Sequence, residues 1–182
     1  MFSLGDKVVY RHHVCEVAAL RENYFEGKDY LELHALFEKS LKLFVAVDEA
    51  KPPALRPVMT REEANDLVDS IIATPALDSD AESSPNDTPA LHERRTKELY
   101  DKHLKTFTPE DLVVILRSAH DRTESREQEG RSITATDKKY FDLAENLLCD
   151  ELSVSLDIPR EETKDYLFER IHEEEAEAEQ EA

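Results

Sequence analysis

The chain has 182 residues, which is enough for one or two domains. It carries 42 acidic and 23 basic side chains, a formal net charge of −19, so we expect high solubility and an average repulsion of nucleic acid. Its three glycines, Gly5, Gly27 and Gly130, are widely separated, which excludes a glycine-rich loop that binds nucleotide phosphates.

Cysteine usage and hydropathy predict a cytoplasmic protein. Cys15 and Cys149 are far apart and form no CxxC motif, a usage typical of a reducing compartment. The N-terminus lacks the cationic and apolar layout of a signal peptide, and no apolar run approaches the ~18 residues that span a bilayer. We therefore expect no contact with a membrane.

Residues 1–57 predict short β-strands, in the runs KVVY, VCEVAAL, DYLELHALF and LKLFVAV. In the last run Leu43 and Val45 point to one face, while Lys42 and Phe44 point to the other. Strands this short and closely spaced favour a small barrel or a strongly bent sheet. The run KPPALRP ends the strand region, because proline donates no hydrogen bond to a ladder.

The opening stretch, FSLGDKVVYRHHVCEV, holds two histidines and a cysteine within four positions. Along a strand His13 and Cys15 share a face and His12 points away, so a Cys15–His13 nucleophile is one interpretation. The other is that Cys15 is a small buried residue and that both histidines lie on the strand surface. No zinc-ligand spacing is present, even with His34, and no third orienting group is evident. We favour the second interpretation and expect no catalytic residue, metal or cofactor.

A helix is predicted after the strands, because Thr60 and Glu63 have the spacing of a capping box. Its apolar stripe comprises Ala64, Leu67, Val68, Ile71 and Ile72. Residues 76–90, ALDSDAESSPNDTPA, predict an acidic linker with almost nothing to bury. We therefore place the first domain at 1–75, with this helix included, and the domain boundary in the linker.

The rest of the chain predicts a helical domain at 91–172 and an acidic tail without fixed structure at 173–182. N-capping threonines, proline at the first helical position and acidic first turns mark the helix starts. The first predicted helix covers about 90–106. The other three start after Thr108, after Thr134 and at Pro159. The predicted fold class is therefore α+β, a small barrel followed by an all-α domain.

Basic residues cluster in two places of this helical domain: Arg94, Arg95 and Lys97, and then Lys138 and Lys139. One interpretation is a solvated helix face with i,i+4 ion pairs. The other is contact with nucleic-acid phosphates. The second requires that Arg94, Arg95, Lys138 and Lys139 converge on one face.

The N-terminal half resembles the CarD/CdnL family of bacterial transcription regulators. FSLGDKVVYRHHVCEV is similar to the family's opening F-x-x-G-D-x-V-V-Y-P-x-H-G-V-G/C-x-V, although Arg11 replaces the proline and one glycine is missing. DYLEL fits the family's Y-L-x-L strand. LFVAVDEAKPPALRPVMTREEA is similar to its V-P-V-x-x-A and G-L-R-P-V-x-S-x-E-E-A segments.

The C-terminal half continues the resemblance in the same order. ERRTKELYDKHLKTFTPEDLVVILRSAHDR is similar to R-R-x-K-E-x-x-E-K-L-x-S-G-D-P-x-x-L-A-E-V-V-R-D-L. SITATDKKYFDLAENLLCDELSVSLDI is similar to L-S-x-x-E-K-x-L-L-x-x-A-x-x-L-L-x-x-E-L-A-x-A-L-G-I. No single motif is decisive; the specific feature is the ordered series over about 2–172.

The resemblance implies a fold and a function. The N-terminal half would be a Tudor-like barrel that binds the β1 lobe of the RNA polymerase β subunit by pairing a strand edge. The C-terminal half would contact the minor groove of promoter DNA at the upstream edge of the melted region and stabilise the open complex. It implies no enzymatic activity, no cofactor and a nucleoid-associated location.

The resemblance also assigns site residues. The polymerase-binding residues would be Asn23, Tyr24, Phe25, Lys42 and Phe44. The DNA-binding residues would be His92, Arg94, Arg95, Lys97, Lys138 and Lys139. The family carries a tryptophan wedge just before its paired arginines, whereas this chain has no tryptophan and has His92 near that position.

A second class of function stays open, a protein-only adaptor that holds the polymerase or another protein without contacting DNA. The net charge of −19 and the missing tryptophan favour the adaptor. The ordered resemblance favours the DNA-contacting regulator. In both cases we expect a monomer without a small-molecule substrate.

Overall fold

The computed structural model describes residues 2–77 and 88–181, with side chains as far as Glu173. The five strands are β1 (Lys7–Tyr10), β2 (His13–Phe25), β3 (Lys28–Ala35), β4 (Lys42–Ala46) and β5 (Leu55–Pro57). The five helices are α1 (Arg61–Asp69), α2 (Pro89–Leu104), α3 (Pro109–Gln128), α4 (Ala135–Leu156) and α5 (Arg160–Glu181). The predicted α+β class is confirmed.

The strands form one antiparallel sheet in the order β4-β3-β2-β1-β5. Shifts of register between β2 and β3, between Val17 and Ala19 and again between Arg21 and Phe25, bend and twist this long pair. Among the described strands none joins β4 to β5, so the sheet is open and has two edges. The predicted closed barrel is not observed, because β5 has only three residues and ends at Pro57, which lacks an N–H donor.

One face of the sheet carries its hydrophobic core. The predicted alternation of β4 is confirmed there, since Val45 is buried and Leu43 packs at the margin, while Lys42 and Phe44 are exposed. Cys15 has no exposed surface, which confirms that it is a buried residue. The buried members of this core are Val8, Cys15, Val17, Leu31, Leu33, Ala35, Val45 and Leu55.

The opening stretch is a hairpin rather than one strand. Arg11 and His12 form a two-residue turn between β1 and β2, and the register pairs Tyr10 with His13. Arg11 takes a left-handed φ of 57°, as the first residue of such a turn requires. The prediction that both histidines lie on a strand surface is therefore wrong for His12, which the turn directs toward the helices.

The helices enclose a second core, and α1 belongs to it. Ala64, Leu67 and Val68 are buried there together with residues of α2 to α5. The predicted first domain, 1–75, therefore contributes to both cores. The two cores separate between β5 and α1, and not in the predicted linker at 76–90, because the apolar stripe of α1 faces the other helices.

Contacts between the sheet and the helices form what we call the seam. Arg56 donates to both carboxylate oxygens of Glu151, at 2.5 and 2.7 Å, and Met59 N donates to the same group at 3.1 Å. This ion pair is nearly buried, with side-chain exposures of 15% and 4%. At the β1–β2 turn, His12 Nε2 lies 2.7 Å from Leu104 O. The seam therefore fixes the two cores relative to each other.

The helix starts follow the predicted caps with one exception. Thr60 and Glu63 form the predicted capping box, with each side chain bonded to the other residue's main-chain N–H. Thr134 accepts a hydrogen bond from the main chain of α4. Thr108 makes no such bond to α3, and its hydroxyl donates instead to Asp111 at 2.7 Å.

Two further predictions concern segments outside the cores, the acidic tail and the linker. Helix α5 continues to Glu181, so the tail predicted without fixed structure from 173 is a continuation of this helix. Its glutamates and alanines are good helix formers, which explains the difference. Most of the predicted linker, residues 78–87, lies outside the described residues. Within 2–77 and 88–181 no helix is long and apolar enough to cross a bilayer.

Candidate protein and nucleic-acid interfaces

An aromatic group lies on the outer face of the sheet, beside the edge strand β4. The rings of Tyr24 and Phe44 stack with centroids 5.0 Å apart and an interplanar angle of 7°. Tyr30 meets Tyr24 edge to face at 5.7 Å. Tyr24 remains 53% and Phe44 39% exposed. This β4 aromatic group, Tyr24, Tyr30 and Phe44, therefore has a fixed shape and apolar surface that a partner can cover.

The main chain of β4 is open on one side. Ala35 N donates to Leu41 O, and this register directs the main-chain groups of Leu43 toward β3 as well. The main-chain groups of Lys42 and Phe44 then point toward the open edge. An extended segment of another protein can add to such an edge as a further strand.

A buried carboxylate gathers cations next to the aromatic group. Glu32 is 4% exposed and lies opposite Phe44 in the register. Its oxygens are 2.5 Å from Arg21 Nη2, 2.7 Å from His34 Nε2 and 3.8 Å from Lys42 Nζ. Hydrogen bonds with His34 and Arg21 hold the pKa of Glu32 below its ordinary value. Two permanent cations, Arg21 and Lys42, therefore lie against this one carboxylate, while the exposed Glu16 lies opposite His34 in the register.

Sequence reasoning did not find this charged cluster. The signal for half of it was present, since Glu32 and His34 are two residues apart in a predicted strand and therefore share a face. The position of Arg21 depends on the β2–β3 register, which the shifts in that pair make unpredictable from alternation alone.

The two other predicted polymerase-binding residues lie near the tip of the β2–β3 hairpin. Asn23 takes a left-handed φ of 49°, and its main-chain N–H donates to Asp29 Oδ1 at 2.9 Å. Phe25 ends β2 and is 58% exposed. Asn23 therefore shapes the hairpin, and Phe25 adds to the exposed apolar surface of this end of the sheet.

The predicted phosphate-contacting residues of α2 do not share one face. Successive residues turn by about 100° around a helix, so Arg95 and Lys97 lie about 160° apart. Arg94 Nε donates to Glu98 Oε1 at 2.8 Å, one turn later. The i,i+4 ion-pair interpretation is therefore confirmed for Arg94, and Arg95 and Lys97 do not form one cationic patch on α2.

The remaining predicted DNA-contacting residues lie at the starts of α4 and α2. Lys138 and Lys139 are exposed in the first turn of α4, and Lys139 Nζ lies 5.5 Å from the ring centroid of Tyr140. His92 is half-buried, with its Nε2 at 3.0 Å from Arg122 Nη1. His92, the residue nearest to the family's wedge position, therefore contacts α3 through Arg122.

A buried polar network joins these helix starts. Asp137 has no exposed surface and accepts hydrogen bonds from Tyr100 Oη at 2.9 Å, Arg122 Nε at 3.0 Å and Thr134 Oγ1 at 2.9 Å. Burial, with the nearby carboxylate of Asp137, raises the pKa of Tyr100 well above its ordinary range. Sequence reasoning predicted only the Thr134 cap, because the partners come from three helices.

The geometry does not support a Cys15–His13 nucleophile. Burial raises the pKa of the Cys15 thiol to about 11, so very little thiolate exists at neutral pH. The ring of His13 lies against Glu38, with Nδ1 3.2 Å from Oε1. In the part of the chain that the structure describes, no group of three or more His, Cys, Asp or Glu side chains is arranged to hold a metal ion.

Comparison with known proteins identifies no relative. No protein-family model matches the chain. No curated protein matches it either. The CarD/CdnL resemblance therefore stays a prediction, and function has to be inferred from the ordered motifs and the surfaces described above.

Proposed function

We propose that this chain is a CarD-like transcription regulator that binds the β1 lobe of the RNA polymerase β subunit and contacts promoter DNA through its helices. The ordered series of family-like motifs over about 2–172 supports the proposal. The β4 aromatic group beside an open strand edge is the observation that carries it. The proposal also includes a Tudor-like fold for the strand half, supported by its bent, antiparallel sheet of five strands.

The chemistry of the β4 edge suits strand addition. Main-chain groups at Lys42 and Phe44 supply hydrogen bonds to an incoming strand. Phe44 and Tyr24 supply the apolar contact, and the cations of Arg21 and Lys42 are available to acidic side chains of the partner.

Phe44→Asp tests the polymerase contact. A charge placed in the centre of the interface is expected to weaken binding of a β1-lobe fragment by roughly tenfold or more, since central aromatic residues dominate such interfaces. Fluorescence anisotropy of the labelled fragment measures the affinity. Phe37→Asp is the matched control, because Phe37 is also 39% exposed but lies outside the strand. Equal affinities of the two variants contradict the proposed contact.

Arg95→Glu tests the DNA contact. Loss of one phosphate contact is expected to shorten the lifetime of the polymerase–promoter open complex and to lower its salt dependence, while β1-lobe binding is retained. Lys51→Glu makes the same charge change at the β5 end of the sheet and is the control. A lifetime that is unchanged by Arg95→Glu contradicts the DNA half of the proposal.

The second candidate function is the protein-only adaptor. It is favoured by the spread of cations on α2, where Arg94 is paired with Glu98 and Arg95 and Lys97 lie on opposite sides. An adaptor binds the β1 lobe but leaves the lifetime of the open complex unchanged at every salt concentration. A lifetime that the protein lengthens, and that shortens again with added salt, identifies the regulator instead.

A further inference from the structure

A groove crosses the seam at the β5 edge of the sheet, opposite to β4. Its volume is about 580 Å³. Exposed prolines around β5 form one wall, a stripe along α1 forms the second, and the first turn of α3 forms the third. We name it the β5 groove and define it by Pro53, Pro57, Met59, Glu63, Asp66 and Glu110.

The rim of the β5 groove is negatively charged. Glu63, Asp66 and Glu110 are all exposed along it. Of the described residues that line it, Arg56 is the one cation, and both oxygens of Glu151 hold its guanidinium. The seam thus neutralises Arg56 and leaves three carboxylates without a compensating cation in the lining.

Apart from Ser70 and Thr108, the rest of the lining is apolar, and its prolines make it stiff. Pro53 and Pro57 have fixed φ angles, and Met59 contributes a polarisable side chain between them and α1. Because Pro57 has no N–H, this edge of the sheet cannot pair with an incoming strand as β4 can. A ligand here is held by its side chains, and stiff walls lose little entropy when it binds.

We propose that the β5 groove binds a short extended protein segment in which lysine or arginine alternates with apolar side chains. The cations meet the three carboxylates, and the apolar side chains cover the prolines and Met59. Since β4 and β5 are opposite edges, this segment and a partner at β4 bind without overlap. The chain therefore has a second protein-binding surface, independent of the polymerase proposal.

A labelled peptide of sequence GKLKVKLG tests the proposal on the full chain. We expect salt-dependent binding by fluorescence anisotropy, and roughly tenfold weaker binding by E63Q/D66N/E110Q, since three partly exposed ion pairs are lost. Gln at 63 keeps the capping box of α1. The matched control is E161Q/E162Q/D165N, which removes three exposed carboxylates from α5 and is expected to bind within twofold of the unchanged chain.

A second variant makes the test independent of the carboxylates. Ser70 is exposed and lines the groove, so Ser70→Arg places a bulky cation there and is expected to abolish binding while circular dichroism shows a folded chain. Phe44→Asp is expected to leave peptide binding intact, so failure here and failure at β4 are distinguishable. Equal losses in the two triple variants, no binding at low salt, or equal binding of GELEVELG overturn the proposal.

Discussion

At the scale of single residues, the seam depends on one carboxylate. Glu151 accepts two hydrogen bonds from Arg56 and one from Met59 N, and it is 3% exposed. A buried charge of this kind is stabilised only while its partners remain, because either ion alone is poorly solvated. The sequence did not predict the pair, since its members are 95 residues apart.

We expect Glu151→Ala to lower the free energy of unfolding by about 3–5 kcal/mol, because it leaves Arg56 buried without its partner. Replacing both ions, by Arg56→Met with Glu151→Leu, is expected to recover most of this loss. Urea denaturation followed by circular dichroism measures both variants. If the single variant loses less than about 1 kcal/mol, the pair is not buried as described.

The two buried thiols predict a loss of stability in alkali. Burial raises the pKa of Cys15 and Cys149 to about 11. The folded state therefore keeps these protons longer than the unfolded state, and the stability they contribute is complete below about pH 8.5 and declines as the pH rises toward 11.

We expect this decline to reach roughly 2 kcal/mol per thiol at pH 10. Urea denaturation at pH 8, 9 and 10 measures it. The comparison is with a variant that carries Cys15→Ala and Cys149→Ala, whose stability should fall less steeply over the same range. Parallel slopes for the two proteins would show that the thiols ionise equally in the folded and unfolded states.

At the scale of elements, the sequence predicts where helices begin better than what they pack against. Thr60 and the apolar stripe predicted α1, and the structure confirms its start, whereas Ile71 and Ile72 lie beyond its last residue, Asp69. Its place in the helical core was missed, because periodicity defines an apolar face but not the neighbour that covers it. His12 was placed on a strand rather than in the β1–β2 turn for a different reason, since Arg11 and His12 are not the residues that usually mark such turns.

In the candidate site, too, the local sequence pattern predicts which face a side chain is on but not what it packs against. Alternation placed Lys42 and Phe44 on the outer face of β4, and the structure agrees. The stacking of Phe44 on Tyr24 comes from β2, two strands away in the sheet order, and depends on the irregular β2–β3 register. Contacts that need a register across a bulge are not encoded in the local pattern of either strand.

The α1 cap gives a prediction at this scale. Thr60→Ala removes the hydroxyl that accepts the hydrogen bond of Glu63 N and is expected to cost about 1 kcal/mol of unfolding free energy. Thr60→Ser keeps an oxygen in the same place and is expected to cost far less. Chemical denaturation of both variants provides the measurement, and an equal loss in the two would contradict the role of the hydroxyl.

At the scale of the whole molecule, the segment 78–87 joins α1 to α2 within one core rather than one domain to another. Ile71 and Leu77 precede it and pack in the helical core, and Tyr100 follows it in the same core. The linker prediction for this segment rests on its composition, and residues 78–87 lie outside the described part of the chain. Its position in the topology was not predictable, because composition does not report which core each side joins.

We expect the chain to stay assembled after cleavage in this segment. With a specific protease site inserted between residues 78 and 87, the two fragments should elute together in size-exclusion chromatography, because the apolar stripe of α1 is buried against α4 and α5. In denaturing urea they should elute separately. Separation in native buffer would place the boundary of two independent domains in this segment.

The open β4 edge also bears on how concentrated solutions of this protein behave. An unpaired strand edge flanked by exposed rings is a surface through which copies of one chain adhere to each other. The net charge of −19 opposes that adhesion by mutual repulsion of the copies. Salt shortens the reach of the repulsion, from about 30 Å at 0.01 M to about 3 Å at 1 M, and leaves the edge unchanged. Colloidal stability is thus set by ionic strength, and the acidic residues far from the sheet help to keep its recognition edge free.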